Sequence, residues 1–240
     1  MPRFFLADSG VIAGKEAHHL TAVHRHSVGD VIEVVSLGRV FRAVITGISA
    51  GEVSVKLTEE LPNPEAALGV TLLQGIPKGD KLELIIQKAV ELGVRQVVPV
   101  TCSRSIATIP AAKAAARVAR WQTIAAEAAK QSGRAMVPKI SLPLDFSAAV
   151  AETTASLKIV AYEVGGSSLQ AVLRSASVGT RVESVAYLVG PEGGLSPDEV
   201  DTARACGFIP VTLGPRILRT ETAALAMLSI LMYELGDMGD

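Results

Sequence analysis

The chain has 240 residues, 49% of them hydrophobic and 20% charged, enough for one large domain or two modest ones with a packed core. No apolar run approaches the roughly 20 residues of a spanning helix, and the start Met-Pro-Arg-Phe-Phe-Leu lacks the apolar core of an export signal. That excludes a membrane span and points to a cytoplasmic protein.

The formal net charge of −1 conceals a segregation, for between Lys78 and Lys139 eleven bases stand against four acids. Such a stretch is either a footprint for a polyanion or a set of solvated helix faces.

Up to about Pro64 the pattern is of short β-branched runs, Val31–Val35, Val40–Ile45 and Val53–Leu57, separated by turns at Gly29, Gly38 and Gly51. Glu16 to Val23 reads as one short helix. Together they predict a small β-barrel or sandwich over residues 1–64. Leu61-Pro-Asn-Pro-Glu65 follows as a linker, since two close prolines discourage regular structure. His18, His19, His24 and His26 crowd this part, but no Cys, Asp or Glu completes a standard ligand spacing, so no metal is expected.

From residue 70 to 240 the rhythm changes. Strand candidates Val70–Ile76, Val97–Thr101, Lys158–Tyr162, Val185–Val189 and Pro210–Leu213 alternate with helices over Lys81–Leu92, Ala111–Gln131, Pro197–Cys206 and Thr220–Leu235. Alternation of this kind predicts an α/β layer with a mostly parallel sheet. Cys102 and Cys206 have no ligand spacing and read as reduced, packed thiols.

Two loops carry the functional signal. Leu188-Val-Gly-Pro-Glu-Gly-Gly-Leu-Ser196 runs from a strand into a helix, with Ser196 as N-cap, Pro197 at the first helical position and Glu199 completing a capping box. By itself this turn fits a structural corner as well as a ligand loop. No dinucleotide fingerprint or phosphate loop accompanies it.

The second loop, Leu213-Gly-Pro-Arg-Ile-Leu-Arg-Thr220, leads to another helix, with Thr220 the expected N-cap. The two loops are expected side by side, at the ends of consecutive strands. Arg219 opposes the helix dipole there, which suggests a bound anion, a carboxylate partner or a catalytic task.

These two loops resemble the signature of the SPOUT-class RNA methyltransferases, and most closely the bacterial 16S ribosomal RNA uridine N3-methyltransferase family. Further matches span the chain, among them Glu16-Ala-His-His-Leu20, Pro77-Lys-Gly-Asp-Lys81, Ile86-Gln-Lys-Ala-Val-Glu-Leu-Gly93 and Glu127-Ala-Ala-Lys-Gln-Ser-Gly-Arg134. His24 and His26 flank Arg25 where the family more often has apolar residues.

The resemblance implies a PUA-like β-barrel that binds RNA, followed by an S-adenosylmethionine-dependent methyltransferase domain with a trefoil knot. It places the donor against Leu188, Gly190, Pro191, Glu192, Gly193, Leu213, Gly214, Ile217, Leu218 and Arg219. It also implies a homodimer, for which the apolar last helix from Ala223 to Tyr233 is a natural surface.

On this reading the substrate is a uridine of the small ribosomal subunit. Its N3 carries a proton that must be removed or shared before attack on the methyl group. Arg219 is expected to stabilise the developing uridine anion, with Glu192 or Glu221 orienting it or accepting the proton. Arg3, Arg25, Lys78, Lys81, Arg104 and Arg134 are candidate phosphate contacts. Two other classes fit less: a non-catalytic RNA-binding protein, and a nucleotide-binding metabolic enzyme that would leave the basic stretch without a role.

Overall fold

A computed structural model describes residues 3–6, 10–178 and 181–239. Met1 and Pro2, part of the chain start considered above, lie outside the described residues. The chain divides into two compact units.

The first unit comprises Met1–Glu65 and Ala129–Val137. Its strands are β1 (Arg3–Phe5), β2 (Val11–Ala13), β3 (Val31–Ser36), β4 (Arg39–Ser49) and β5 (Glu52–Leu61). They form one sheet in the order β1-β3-β4-β5-β2. The expected helix is a single turn, α1 (Lys15–His18), that widens into a π-helical turn at His19–Val23.

Strand alternation turns one face inward. Phe4, Ile12, Ile32, Val34, Ala43, Ile45 and Val53 come from all five strands and close on one core with Ala17 and Leu20. A core shared in this way requires curvature. Register shifts in β4, between Arg42 and Ala43 and between Ile45 and Gly47, supply bends. Among the described residues β1 and β2 do not pair with each other, so the ladder is a curled sheet and not a closed barrel.

Ala129–Val137, expected in the second domain, belongs to this first unit for electrostatic and packing reasons. Arg134 is only 6% exposed and pairs with Glu65 at 2.6 Å, and Lys130 meets Glu16 at 2.6 Å. Ala135 packs with Val35 and Val40. The histidines are held locally: the His24 ring meets those of Phe4, His19 and His26, and His26 Nδ1 lies 3.2 Å from Asp30. Among the described residues no three His, Cys, Asp or Glu side chains are grouped to hold a metal.

The second unit comprises Ala66–Ala128 and Pro138–Asp240. In chain order it runs β6 (Gly69–Gly75), α2 (Lys81–Glu91), β7 (Gln96–Thr101), α3 (Ala111–Gln131, whose last turn enters the first unit), β8 (Lys139–Ile140), β9 (Leu144–Asp145) and α4 (Phe146–Glu152). It continues with β10 (Leu157–Ala161), β11 (Ser167–Ser168), α5 (Leu169–Ala176), β12 (Ser184–Val189), α6 (Pro197–Ala205), β13 (Ile209–Thr212) and α7 (Thr220–Glu234). The strand order is β11-β13-β10-β12-β6-β7-β8, with β9 beside β7, and every pairing is parallel.

Parallel sheets are covered on both faces, which is why the central strands read as unbroken apolar runs. Val185 to Val189 are all buried, as are Leu72 and Leu73 of β6. α2 buries Leu82, Ile85, Ile86, Ala89 and Val90, the stripe its sequence periodicity marks out. Tyr187, fully buried in β12, donates to the Ala224 carbonyl of α7 at 3.2 Å.

Cys102 lies just beyond β7, where burial, with the Glu199 charge adding to it, pushes the thiol up to about 12. The native protein at pH 8 is therefore expected to titrate with no more than one fast thiol, against two in denaturant. Because the folded thiol holds its proton above the ordinary value of 9.0, this group favours the folded state at lower pH. Its contribution is lost as pH rises toward 12.

Candidate active site

The first loop leaves the buried end of β12 and enters α6 through the capping box its sequence announces. Ser196 Oγ accepts from Glu199 N at 3.2 Å, and Glu199 Oε2 accepts from Ser196 N at 2.8 Å. The second carboxylate oxygen of Glu199 accepts from Ser103 N at 2.7 Å, fastening the turn after β7 to the loop. From that turn Arg104 donates to the Gly193 carbonyl at 3.3 Å. Backbone lies against backbone here: a Cβ on Gly75 would fall 2.6 Å from both the nitrogen and Cδ of Pro191.

The second loop leaves β13 and enters α7, and its helix start differs from expectation. The N-cap is Arg219, in extended backbone, and Thr220 is the first helical residue. The Thr220 hydroxyl is engaged elsewhere, donating to the Gly190 carbonyl at 2.6 Å and accepting from Gln74 Nε2 at 2.9 Å. It thus joins the head of α7 to the first loop at a site only 5% exposed. Thr220→Val keeps the shape and strands two buried polar partners, so a loss of about 2–4 kcal/mol is expected in denaturant titration. An unchanged midpoint would contradict the role given to this hydroxyl.

The loops follow consecutive strands and lie side by side at one cavity, as expected, although β10 stands between β12 and β13 in the sheet. Their facing sides enclose a cavity of about 500 Å³, with the end of β10 as its floor. Gly190, Pro191, Glu192, Gly193, Leu213, Gly214, Ile217, Leu218 and Arg219 line it. Leu188 does not: it is fully buried in the core with Val160 and Ala186. Ala161, Tyr162 and Glu163 line it from β10 and beyond, and sequence reasoning misses them, although Tyr162 ends a strand that the sequence marks.

Charge is unevenly committed at the rim. Lys81 Nζ stands 3.1 Å from Glu192 and 3.3 Å from Glu221, and the Lys78 backbone N–H reaches both Glu192 oxygens at 3.2 and 3.3 Å. Burial works to raise the Glu192 carboxyl. Hydrogen bonds from its own backbone, Lys81 and Lys78, with the Lys81 charge, outweigh that and hold it below the usual carboxylate range. Neither carboxylate pairs with Arg219, whose side chain makes no hydrogen bond or ion pair among the described residues. Glu192 or Glu221, expected to orient Arg219 or to accept the proton, makes no direct pair with that arginine here.

The candidate phosphate contacts also divide. Arg25, Lys78 and Arg104 are exposed. Arg3 is bound to Glu33 at 3.0 Å and to the Gly133 carbonyl, and Arg134 is buried on Glu65. Both guanidinium groups are engaged inside the first unit and are withdrawn as RNA contacts. Lys81 is enclosed by two carboxylates.

Fold and site together define an α/β domain with a loop-built cavity at the carboxyl edge of a parallel sheet, the usual place for a small-molecule site in such folds, preceded by a small β-unit. The RNA methyltransferase domain matches residues 64–232 and the RNA methyltransferase PUA domain residues 12–58. This chain belongs to that RNA methyltransferase family.

The chain is 37% identical over 233 residues to the ribosomal RNA small subunit methyltransferase E of Bacillus subtilis, covering 93% of this chain and 89% of that one. Its counterpart in Mycobacterium bovis is 30% identical, with 93% and 87% covered. A crystal structure of a ribosomal RNA small subunit methyltransferase E from Neisseria gonorrhoeae, bound to S-adenosyl methionine, matches with a TM-score of 0.85 at 31% identity and 99% coverage of both chains. The fold class expected from the sequence, α/β with a mostly parallel sheet after a PUA-like unit, is the one found.

Proposed function

We propose that this protein transfers a methyl group from S-adenosylmethionine to N3 of a uridine in the 16S RNA of the small ribosomal subunit. The cavity between the two loops is the observation that carries the reading. At about 500 Å³ it suits a nucleoside-sized ligand. Val189, Leu195, Val211, Leu213 and Leu218 offer apolar walls, glycine backbone offers close polar contacts, and Glu163 and Glu192 offer negative charge for a cation. These residues fit the donor. The Thr220 fastening, which holds the C-terminal segment against Gly190 and Gln74, supports the threaded knot implied by the resemblance.

The donor, when bound, supplies an electrophilic methyl group on a sulfonium. Everything else falls to the chain. Arg219, uncommitted and at the cavity wall, stabilises the uridine anion that forms as N3 gives up its proton. Arginine is a donor here and not a base, since its own proton is held too tightly. Glu192 is a poor proton acceptor, because Lys81 and the Lys78 N–H favour its ionised form. The N3 proton passes to solvent water, the new N3–methyl bond replaces the sulfonium–methyl bond, and the donor leaves as neutral S-adenosylhomocysteine.

Arg25, Lys78 and Arg104 contact phosphates on this reading, and the target base is unstacked to reach the cavity. Arg104→Ala is expected to weaken RNA binding and to flatten its dependence on log salt by about one unit. An unchanged slope would remove Arg104 from the interface. The protein works in the cytoplasm as a homodimer, a reading supported by Ile230 and Tyr233, which leave apolar surface of α7 exposed at 39% and 64%. Among the described residues no helix is long and apolar enough to cross a membrane.

Calorimetric titration tests the donor site. S-adenosylmethionine should bind at one site per chain and a nicotinamide dinucleotide should not. Preference for the dinucleotide would favour a metabolic enzyme instead.

A further inference from the structure

We propose that Lys81 is a positioning residue for methyl transfer: held between Glu192 and Glu221, its ammonium locks the first loop to the head of α7 and so fixes the backbone from which Arg219 projects. The inference rests on the methyltransferase reading above and assigns Lys81 a task other than RNA contact. Lys81 opens α2, Glu192 sits in the loop after β12, and Glu221 stands in the first turn of α7. One ammonium carries three donors, enough to serve two carboxylates at once. Its nitrogen lies 3.1 Å from Glu192 Oε1 and 3.3 Å from Glu221 Oε2, an ion pair with each.

The bridge complements the Thr220 fastening. The Thr220 hydroxyl joins α7 to the loop at Gly190, in the interior. Lys81 joins them two residues further along the loop, at Glu192, and one residue further along the helix, at Glu221. A single joint lets the helix head pivot against the loop, whereas two separate joints fix its orientation. Arg219 immediately precedes this doubly held segment, and an arginine free of its own partners takes its placement from its backbone.

Burial favours this role. The Lys81, Glu192 and Glu221 side chains are 32%, 27% and 19% exposed, so the pairs are less screened than open surface ones. Two carboxylates around one ammonium also leave a net negative charge. That surplus repels a phosphate, which is why Lys81 is a poor RNA contact.

The test compares Lys81→Met, Lys81→Arg and Glu221→Gln with the wild type, reading donor affinity by calorimetry, transfer by single turnover and folding by Tm. K81M should keep its Tm within about 4 °C, bind donor about tenfold more weakly and transfer about 100-fold more slowly. K81R should recover most of both, because a guanidinium can also bridge two carboxylates. E221Q leaves Lys81 on Glu192 and should slow transfer about tenfold; it decides the question if K81M does not fold.

The salt dependence of RNA binding by K81M should match the wild type, and a slope reduced by about one would return Lys81 to the phosphates and overturn the inference. Wild-type transfer in K81M, or in E221Q where K81M is unfolded, also overturns it. A wild type that binds no donor overturns the methyltransferase reading and this inference with it. A wild type that binds and transfers, beside a K81M that equals it, overturns this inference alone.

Discussion

Replacing Arg219 by alanine is expected to slow single-turnover methyl transfer by at least about 100-fold, the usual cost of losing a preorganised donor to a developing anion. Donor affinity should change only severalfold, because the cavity walls are mostly apolar side chains and loop backbone. Stability should hardly move. Arg219 is exposed and makes no pair among the described residues, and removing a cation from a helix N-terminus relieves an unfavourable dipole contact. A Tm within about 2 °C of wild type would place the defect in the chemistry. Near-normal turnover would end the role proposed for this residue.

The second large effect is expected at Gly75, outside both motifs. Its missing Cβ is the space through which β6 meets the first loop: a Cβ there would lie 2.6 Å from Pro191 N and 2.9 Å from the Gly190 carbonyl carbon. Those atoms are backbone or ring and cannot swing aside like a flexible side chain. Gly75→Ala must therefore displace Gly190 and Pro191, both at the cavity wall. Overpacking of this sort costs about 1–3 kcal/mol, and a loop shift of about 1 Å costs on the order of 100-fold in donor binding or turnover. Calorimetry and denaturant titration read the two effects separately. Wild-type donor affinity in G75A would show that the loop does not depend on this contact.

Local chemistry makes both loops legible in the sequence. A capping box is written in four consecutive residues, and Ser196 and Glu199 form it as their spacing requires. Order across the sheet is not written locally. The insertion of β10 between β12 and β13 is a long-range pairing, so Tyr162 and Glu163 stay hidden although their strand is recognisable.

The same limit applies to charges. Lys81 and Arg134 read as phosphate contacts because a sequence displays bases without the carboxylates that fold against them. Leu188 is buried in the core and not at the cavity wall for a related reason. A strand buried on both faces has no alternation to reveal which side chains point at the site. Thr220 shows the reverse case: it reads as a cap, and tertiary structure engages its hydroxyl elsewhere.

The most direct measurement incubates the protein and methyl-labelled S-adenosylmethionine with small ribosomal subunits from cells lacking the enzyme, then digests the RNA and identifies the labelled nucleoside by mass spectrometry. The expected product is 3-methyluridine in 16S RNA, formed by the wild type and not by R219A. Label on another base, label on another RNA with none on the subunit, or equal product from R219A would contradict the account.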